Sequence, residues 1–278
     1  MDLASTIEAN VSAALAEDLG SGDLTSRLIP AHQQSRARVL CRGAAVLCGS
    51  AWFEACFHRF NAGVAFTWFY RDGDPVAADE VLCEIVGNTR ALLSAERPAL
   101  NFLQLLSATA TLTRRYVDAV AGTSALIMDT RKTLPGLRLG QKYAVKTGGG
   151  ENQRFGLYDG ILIKENHVAA AGGVRKALNR AREVSSGVPI QIEVETLEQL
   201  GDAIEAGGKL ILLDNFLLEQ MREAVRFTGR RAVLEASGGI TLENVRAVAE
   251  TGVDRISVGS LTKDVQAIDL SMRFETGK

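Results

Sequence analysis

Along the second half of the chain, short apolar runs rich in aliphatic residues recur: SALIMDT at 124–130, GILIKEN at 160–166, PIQIEVE at 189–195, KLILLDN at 209–215, AVLEASG at 232–238 and RISVGS at 255–260. Between most of them lie stretches with helical spacing of apolar positions: GVRKALNRAREVSS, TLEQLGDAIEAG, LLEQMREAVRFTG and TLENVRAVAETG. Continuous apolar runs suit strands buried on both faces, and their alternation with helices predicts parallel strands in an α/β fold. Six such runs fit a (β/α) barrel. An open doubly wound sheet is the competing architecture, because periodicity alone does not separate the two.

The first third is patterned differently. MDLASTIEANVSAALAEDLG carries acids early and no basic region before an apolar core, so it reads as an amphipathic helix rather than a signal peptide. After two helices, shorter alternating segments are expected: ARVLCRGAAVLCGS, FTWFYRDGDPV and EVLCEIVGN. The turn signals Asp72-Gly73-Asp74-Pro75 and Gly87-Asn88 separate them. This pattern predicts a small antiparallel α+β domain over residues 1–105, with a catalytic (β/α) domain over 106–265. A long helix from about Leu93 to Ala121 joins them.

Composition narrows the class. With 278 residues, 46% hydrophobic and 23% charged, the chain is an ordinary globular protein. No apolar run approaches the roughly 20 residues of a membrane helix, so no membrane partner is expected. Cys41, Cys48, Cys56 and Cys83 form no CxxC pair and no zinc spacing. They read as reduced, buried thiols of a cytoplasmic protein.

Charge is concentrated in one stretch. Asp129–His167 carries seven basic residues against four acidic ones, in a chain of net charge −2. A local cationic cluster suits a small, highly anionic ligand. A nucleic-acid surface would need a basic balance over a whole face. Arg131, Lys132, Arg154 and Lys164 are the candidate anion receptors, arginine for bidentate contacts and lysine as a point charge. A surface salt bridge is the ordinary reading of any one of them. Arg138 is a candidate for substrate contact or loop ordering, and Lys142 and Lys146 are either site cations or solvated helix charges. Gly148, Gly149 and Gly150 would let the backbone approach a ligand.

Asp129, Lys164, Glu193, Asp214, Glu235 and Ser237 sit at the C-terminal ends of the runs, where barrel enzymes build their sites. Glu193 and Asp214 end successive strands and could share a magnesium ion with a phosphate ligand. Solvated strand-end acids are the alternative, and Glu195, on the same strand face as Glu193, is the alternative ligand. Ser237-Gly238-Gly239, before a helix expected near Thr241, and Ser257-Val258-Gly259-Ser260 are candidate phosphate-binding turns. The chain has no Walker loop, no GxSxG and no HExxH. A Schiff-base role for Lys164 stands as a poor second.

DTRKTLPGLR, KYAVKTGGG, NQRFGLYDG and LIKENH, in that order, resemble the signature of the quinolinate phosphoribosyltransferase family. EDLGSGDLTS, ERPALNFLQLLSATATLTR, EVET, LLDNF, EASGGIT and VDRISVGSLT extend the resemblance over nearly the whole chain. It implies an N-terminal α+β sandwich domain and an incomplete (β/α) barrel, with the tail at 266–278 returning to the first domain. It implies a reaction of quinolinate with phosphoribosyl pyrophosphate, giving nicotinate mononucleotide, pyrophosphate and carbon dioxide in NAD biosynthesis. By the resemblance, Lys132, Glu193 and Asp214 are catalytic, with magnesium held at Glu193 and Asp214. Arg131, Lys132, Gln153, Arg154, Lys164, Ser237, Gly238, Gly259 and Ser260 contact substrate. Arg97 reaches into the partner subunit's site of a homodimer or higher oligomer, although Glu96-Arg97-Pro98 also reads as a plain helix start.

The chain departs from the pattern once. Many relatives carry Asn-His-Arg where this chain has Asn152-Gln153-Arg154, so no imidazole is available there. Hydrogen bonding of Gln153 to a carboxylate or to the ring stays open. His167 reads as a buried structural residue or as catalytic, and His32 and His58 as incidental. A same-fold relative serving another pyridine acid or a molybdenum-linked role, and a non-catalytic phosphate-ligand sensor, are the alternative functions.

Overall fold

The computed structural model describes residues 2–185 and 187–275. They divide into two compact units. The first takes its residues from Met1–Arg114, Thr133–Gly149 and Asp264–Lys278, and the second from Arg115–Lys132 and Gly150–Lys263. The sequence expectation divides the chain after residue 105 and returns the tail at 266–278 to the first domain, and the segment from Asp264 on does join the first unit. The excursion Thr133–Gly149 breaks that expectation, because it packs with the first unit although barrel strands flank it in sequence.

The first unit opens with helix α1 (Leu3–Leu19), capped by Asp2, whose carboxylate accepts from the Ala4 and Ser5 amides. Then come β1 (Gln34–Cys41), β2 (Ala45–Val46), α2 (Ser50–His58), β3 (Ala65–Trp68), β4 (Pro75–Val76), β5 (Val81–Asn88) and α3 (Thr89–Ala119). Only one α-helix precedes the first strand; the second expected helix, α2, lies between strands. The sheet runs Leu270–Phe274, β1, β5, β3, all antiparallel. In β1, Ala37, Val39 and Cys41 are buried while Arg36 and Arg38 face Glu84 and Glu275, the period-2 pattern of a sheet with one wet face. Trp52, Phe53 and Phe57 of α2 fill the core beneath it. Helix α3 starts at Thr89, so Pro98 sits inside it and Glu96-Arg97-Pro98 is not a helix start. Helix α4 (Arg138–Thr147) belongs to the excursion.

The second unit holds the six expected strands: β6 (Leu126–Met128), β7 (Ile161–Ile163), β8 (Ile190–Val194), β9 (Leu210–Asp214), β10 (Val233–Ser237) and β11 (Arg255–Ser257). They pair in the order β6, β11, β10, β9, β8, β7, all parallel. Glu151 adds a single parallel bridge to Met128. Among the described residues nothing pairs that bridge with β7, so the ring stays open there and the barrel is incomplete. Helices α5 (Glu165–Ala171), α6 (Val174–Val184), α7 (Leu197–Glu205), α8 (Leu218–Thr228), α9 (Val245–Ala249) and α10 (Ser260–Lys263) alternate with the strands. In α6, Val174, Ala177, Leu178 and Ala181 are buried, the spacing of one helical face.

Candidate active site

The strands of the second unit end on residues that the sequence singles out as candidates for the chemistry. The β7–β8 pairing aligns Ile163 with Ile192, which brings the next residues, Lys164 and Glu193, side by side. Lys164 Nζ lies 3.5 Å from Glu193 Oε2. Glu193 is nearly buried, at 10% side-chain exposure, and Lys164 is half exposed. Burial raises the Glu193 carboxyl above its usual range; Lys164 opposes this, while Asp214 and Glu165 add to it. A cleft of about 170 Å³ touches Glu193, Glu165, Glu195 and Gln199, but none of the expected cations. A half-exposed, ion-paired Lys164 is not the desolvated amine of a Schiff-base enzyme.

On β9, Asp214 sits beside Ser237 of β10 in the parallel register. Asn215 follows in the left-handed region, at φ 57°, and its side-chain amide donates to Asp214 Oδ2 at 2.8 Å. That strained turn presses on the next strand: a Cβ on Gly238 would come within 2.1 Å of Asn215 Oδ1. Gly238 is therefore required for packing as well as for its φ of +101°.

The other side of the site follows β6. The Lys132 amide donates to Thr130 Oγ1 at 3.0 Å, and Thr262 Oγ1 donates to the Lys132 carbonyl at 2.8 Å. The Lys132 stem passes over Gly259, since a Cβ there would stand 3.4 Å from Lys132 Cδ. The Ser260 hydroxyl lies 3.4 Å from Tyr116 Oη. Arg154 gives Nη1 to the Gly160 carbonyl at 3.1 Å. Burial lowers the Arg154 pKa, the nearby Arg131 charge lowers it further, and Asp159 opposes both. Two guanidinium groups thus share a partly desolvated corner.

Gln153 takes up the possibility of bonding to a carboxylate, but the carboxylate is the protein's own. Its Nε2 donates to both oxygens of Glu235, at 2.5 and 2.6 Å. Gln191 Nε2 and Ser257 Oγ donate to the same group at 3.0 and 2.5 Å. Two residues further along β8 and β10 stand Glu193 and Ser237, on the same face of the pleat, and Gly259 follows just beyond β11. This hydrogen-bonded ring is the layer directly beneath the mouth. Pattern reading placed Glu235 at a strand end without a role, and it missed Gln191, Asn215, Thr130 and Thr262. Only the position of Thr130 inside DTRK gave any signal.

Other expectations change. Lys142 is fully buried on α4 and is not a solvated helix charge, whereas Lys146 is exposed. Gly148 packs on α3, where a Cβ would meet the Ala110 carbonyl at 2.5 Å, so its smallness serves the fold rather than a ligand. Arg138 donates Nε to Thr133 Oγ1 at 3.0 Å. Arg97 is exposed on α3 of the first unit. His167 caps α5 by accepting from the Lys164 amide at 3.0 Å, and does so exposed rather than buried. The helix expected at Thr241 begins at Val245, because Asn244 ties the Thr241 amide and the Gly239 carbonyl into a turn.

Two family models match the chain: the quinolinate phosphoribosyl transferase N-terminal domain over residues 23–107 and the C-terminal domain over 109–273. A probable nicotinate-nucleotide pyrophosphorylase (carboxylating) of Bacillus subtilis (strain 168) is 44% identical over 92% of this chain and 89% of that protein. The nicotinate-nucleotide pyrophosphorylase (carboxylating) of Mycobacterium leprae is 42% identical over 93% and 94%. The solved structure of the nicotinate-nucleotide pyrophosphorylase from Francisella tularensis superposes with a TM-score of 0.96, at 40% identity over 99% of this chain and 98% of that one.

Proposed function

The chain belongs to the quinolinate phosphoribosyltransferase family, and on that premise we propose how its barrel mouth joins quinolinate to phosphoribosyl pyrophosphate. The products are nicotinate mononucleotide, pyrophosphate and carbon dioxide, a step of NAD biosynthesis. The observation that carries the reading is the division of the mouth. The Arg131 charge bears on Arg154, and Lys164, Glu193, Asp214 and Ser237 line neighbouring strand ends.

Arg131 and Arg154 hold the two carboxylates of quinolinate, with Lys164 between them and the acids. Glu193 and Asp214 hold the ribose. Lys132, with the turns Ser237-Gly238 and Gly259-Ser260, holds phosphate and pyrophosphate oxygens. The ring nitrogen attacks the anomeric carbon as the bond to pyrophosphate breaks, and that bond's electron pair leaves with pyrophosphate. The ring is now cationic. Its bond to the adjacent carboxylate breaks, the electron pair stays on the ring carbon, carbon dioxide leaves, and water supplies the proton. Neither step needs a strong general base, which suits Gln153 at its position. Positioning and charge balance carry the rate.

Magnesium fits as a shared ion. Among the described residues no cluster of three or more metal-ligating side chains occurs. The Asp214 charge adds to the cost of ionising Glu193, which a divalent cation would relieve. Two protein oxygens with water and phosphate completing the shell match that ion's habits. Bound there, it would neutralise departing pyrophosphate charge.

Arg97, exposed in the first unit, supports a homodimer in which it serves the partner's site. The four cysteines are free and buried, and no helix among the described residues is long and apolar enough to cross a membrane. Both features suit the cytoplasm. The test of the reaction is direct: purified protein with quinolinate, phosphoribosyl pyrophosphate and magnesium should release nicotinate mononucleotide and carbon dioxide in equal amounts. Absence of both products from folded protein would overturn it.

A further inference from the structure

Glu235 is 1% exposed in the middle of β10 and has no part in the chemistry above. All its hydrogen-bond donors are neutral: the Gln153 and Gln191 amides and the Ser257 hydroxyl. A carboxylate only accepts, so the nitrogen of the Gln153 amide must face it. The same nitrogen also donates to Gln191 Oε1 at 3.3 Å. Both amide hydrogens of Gln153 are thereby turned into the barrel, away from any carboxylate of a ligand.

The main chain of Gln153 is fixed as firmly. Its amide N–H donates to Asp129 Oδ1 at 2.8 Å, and Asp129 is completely buried. One buried acid therefore grips the backbone of residue 153 and a second grips its side chain. The next residue is Arg154, whose Nη1 donates to the Gly160 carbonyl at 3.1 Å and on which the like charge of Arg131 bears. Such a pair repels, and without an anchor the loop would open to separate the charges.

We propose that Glu235 is a positioning residue for recognition of the acid substrate: acting through Gln153, it holds Arg154 beside Arg131 before the substrate arrives. This rests on the reading of the mouth as a quinolinate site. The clamp keeps the two guanidinium groups in place, so that the substrate's carboxylates meet a formed receptor instead of assembling one.

Glu235→Gln keeps the shape, but it removes one acceptor oxygen and sets an NH2 group against the Gln153 amide. The measurements are the quinolinate dissociation constant by calorimetry, the KM of phosphoribosyl pyrophosphate and the melting temperature. Glu235→Gln should weaken quinolinate at least about tenfold while the donor KM changes less than about twofold. Gln153→Leu should act likewise, and the double variant should be no weaker than the weaker single one, because both lesions break one clamp. Quinolinate affinity within twofold of wild type, equal losses for both substrates, or additive losses would overturn the proposal. If Glu235→Gln does not fold, Ser257→Ala removes a single donor and should weaken quinolinate roughly threefold with the same selectivity. No loss in Ser257→Ala, or an equal loss for the donor, would equally overturn it. Wild-type protein that binds no quinolinate would instead remove the site reading itself.

Discussion

The interior of the first unit is built from Trp52, Phe53, Phe57, Leu92, Leu103, four buried thiols and their apolar neighbours. At the comparable depth in the second unit stand Asp129, Gln191, Glu235 and Ser257, joined by hydrogen bonds across three strands and the Gln153 segment. The apolar interior is held by contacts that need little direction, and burial leaves its cysteines inert, with Cys56 pushed up to about 12. The polar interior is directional. Each donor is aimed at particular acceptors, and losing a partner strands a buried group. The first arrangement gives stability that tolerates change. The second gives a mouth whose charges are already placed, and single substitutions should disturb it selectively.

The largest effect expected separates the contributions of the two units to activity. In the proposed homodimer, Arg97→Ala and Lys132→Ala should each be nearly inactive. Mixing them equally through unfolding and refolding makes half the dimers hybrid, each with one intact site, so activity should return to about a quarter of wild type. No recovery, with hybrids counted by mass spectrometry, would remove Arg97 from the partner's site. Next in size is Trp52→Ala, which empties a fully buried position and also loses the bond from Nε1 to Asn10 Oδ1. It should cost about 3–5 kcal/mol in denaturant unfolding while the KM values of the remaining folded protein hold. A shift in KM for quinolinate would show that the apolar unit tunes the site after all.

The six parallel strands were legible from the chain because buried strands are continuous apolar runs, and each of the six lies within its expected stretch. The strand-end places of Lys164, Glu193, Asp214 and Ser237 were legible because these residues end those runs. The excursion at Thr133–Gly149 was not, since its place depends on contacts such as Gly148 against Ala110 rather than on local pattern. Nor was the start of α3: Pro98 reads as a first-turn residue, yet the helix tolerates it in the interior. The partner of Gln153 lies 82 positions away, at Glu235, and no local spacing reports such a pair.

A medium effect tests the cationic corner. Nicotinate leaves one cation of Arg131, Arg154 and Lys164 without a carboxylate, so quinolinate should be preferred by at least about 2 kcal/mol in catalytic efficiency. Similar efficiency on both acids would contradict the two-carboxylate site.

The smallest effect runs opposite in sign. Burial raises the Glu193 carboxyl in the folded protein, so its contribution favours folding below the unfolded carboxylate value and is lost as pH rises through the folded one. At neutral pH the ionised group opposes folding. Glu193→Gln should therefore melt on the order of 1–2 °C higher than wild type at pH 7, with the gap closing in acid, while turnover collapses. A lower melting temperature at pH 7 would show that the ion pair with Lys164 outweighs the burial.

In the proposed division of the mouth, Arg131 and Arg154 recognise the acid, and Glu193 and Asp214 serve the sugar-donor chemistry. Calorimetry with quinolinate alone, in the absence of phosphoribosyl pyrophosphate, tests it in wild type, Arg154→Met and Asp214→Asn. Arg154→Met should lose quinolinate binding by at least about a hundredfold, and Asp214→Asn should bind within about threefold of wild type although it turns over poorly. Loss of quinolinate affinity in Asp214→Asn, or its survival in Arg154→Met, would contradict the division.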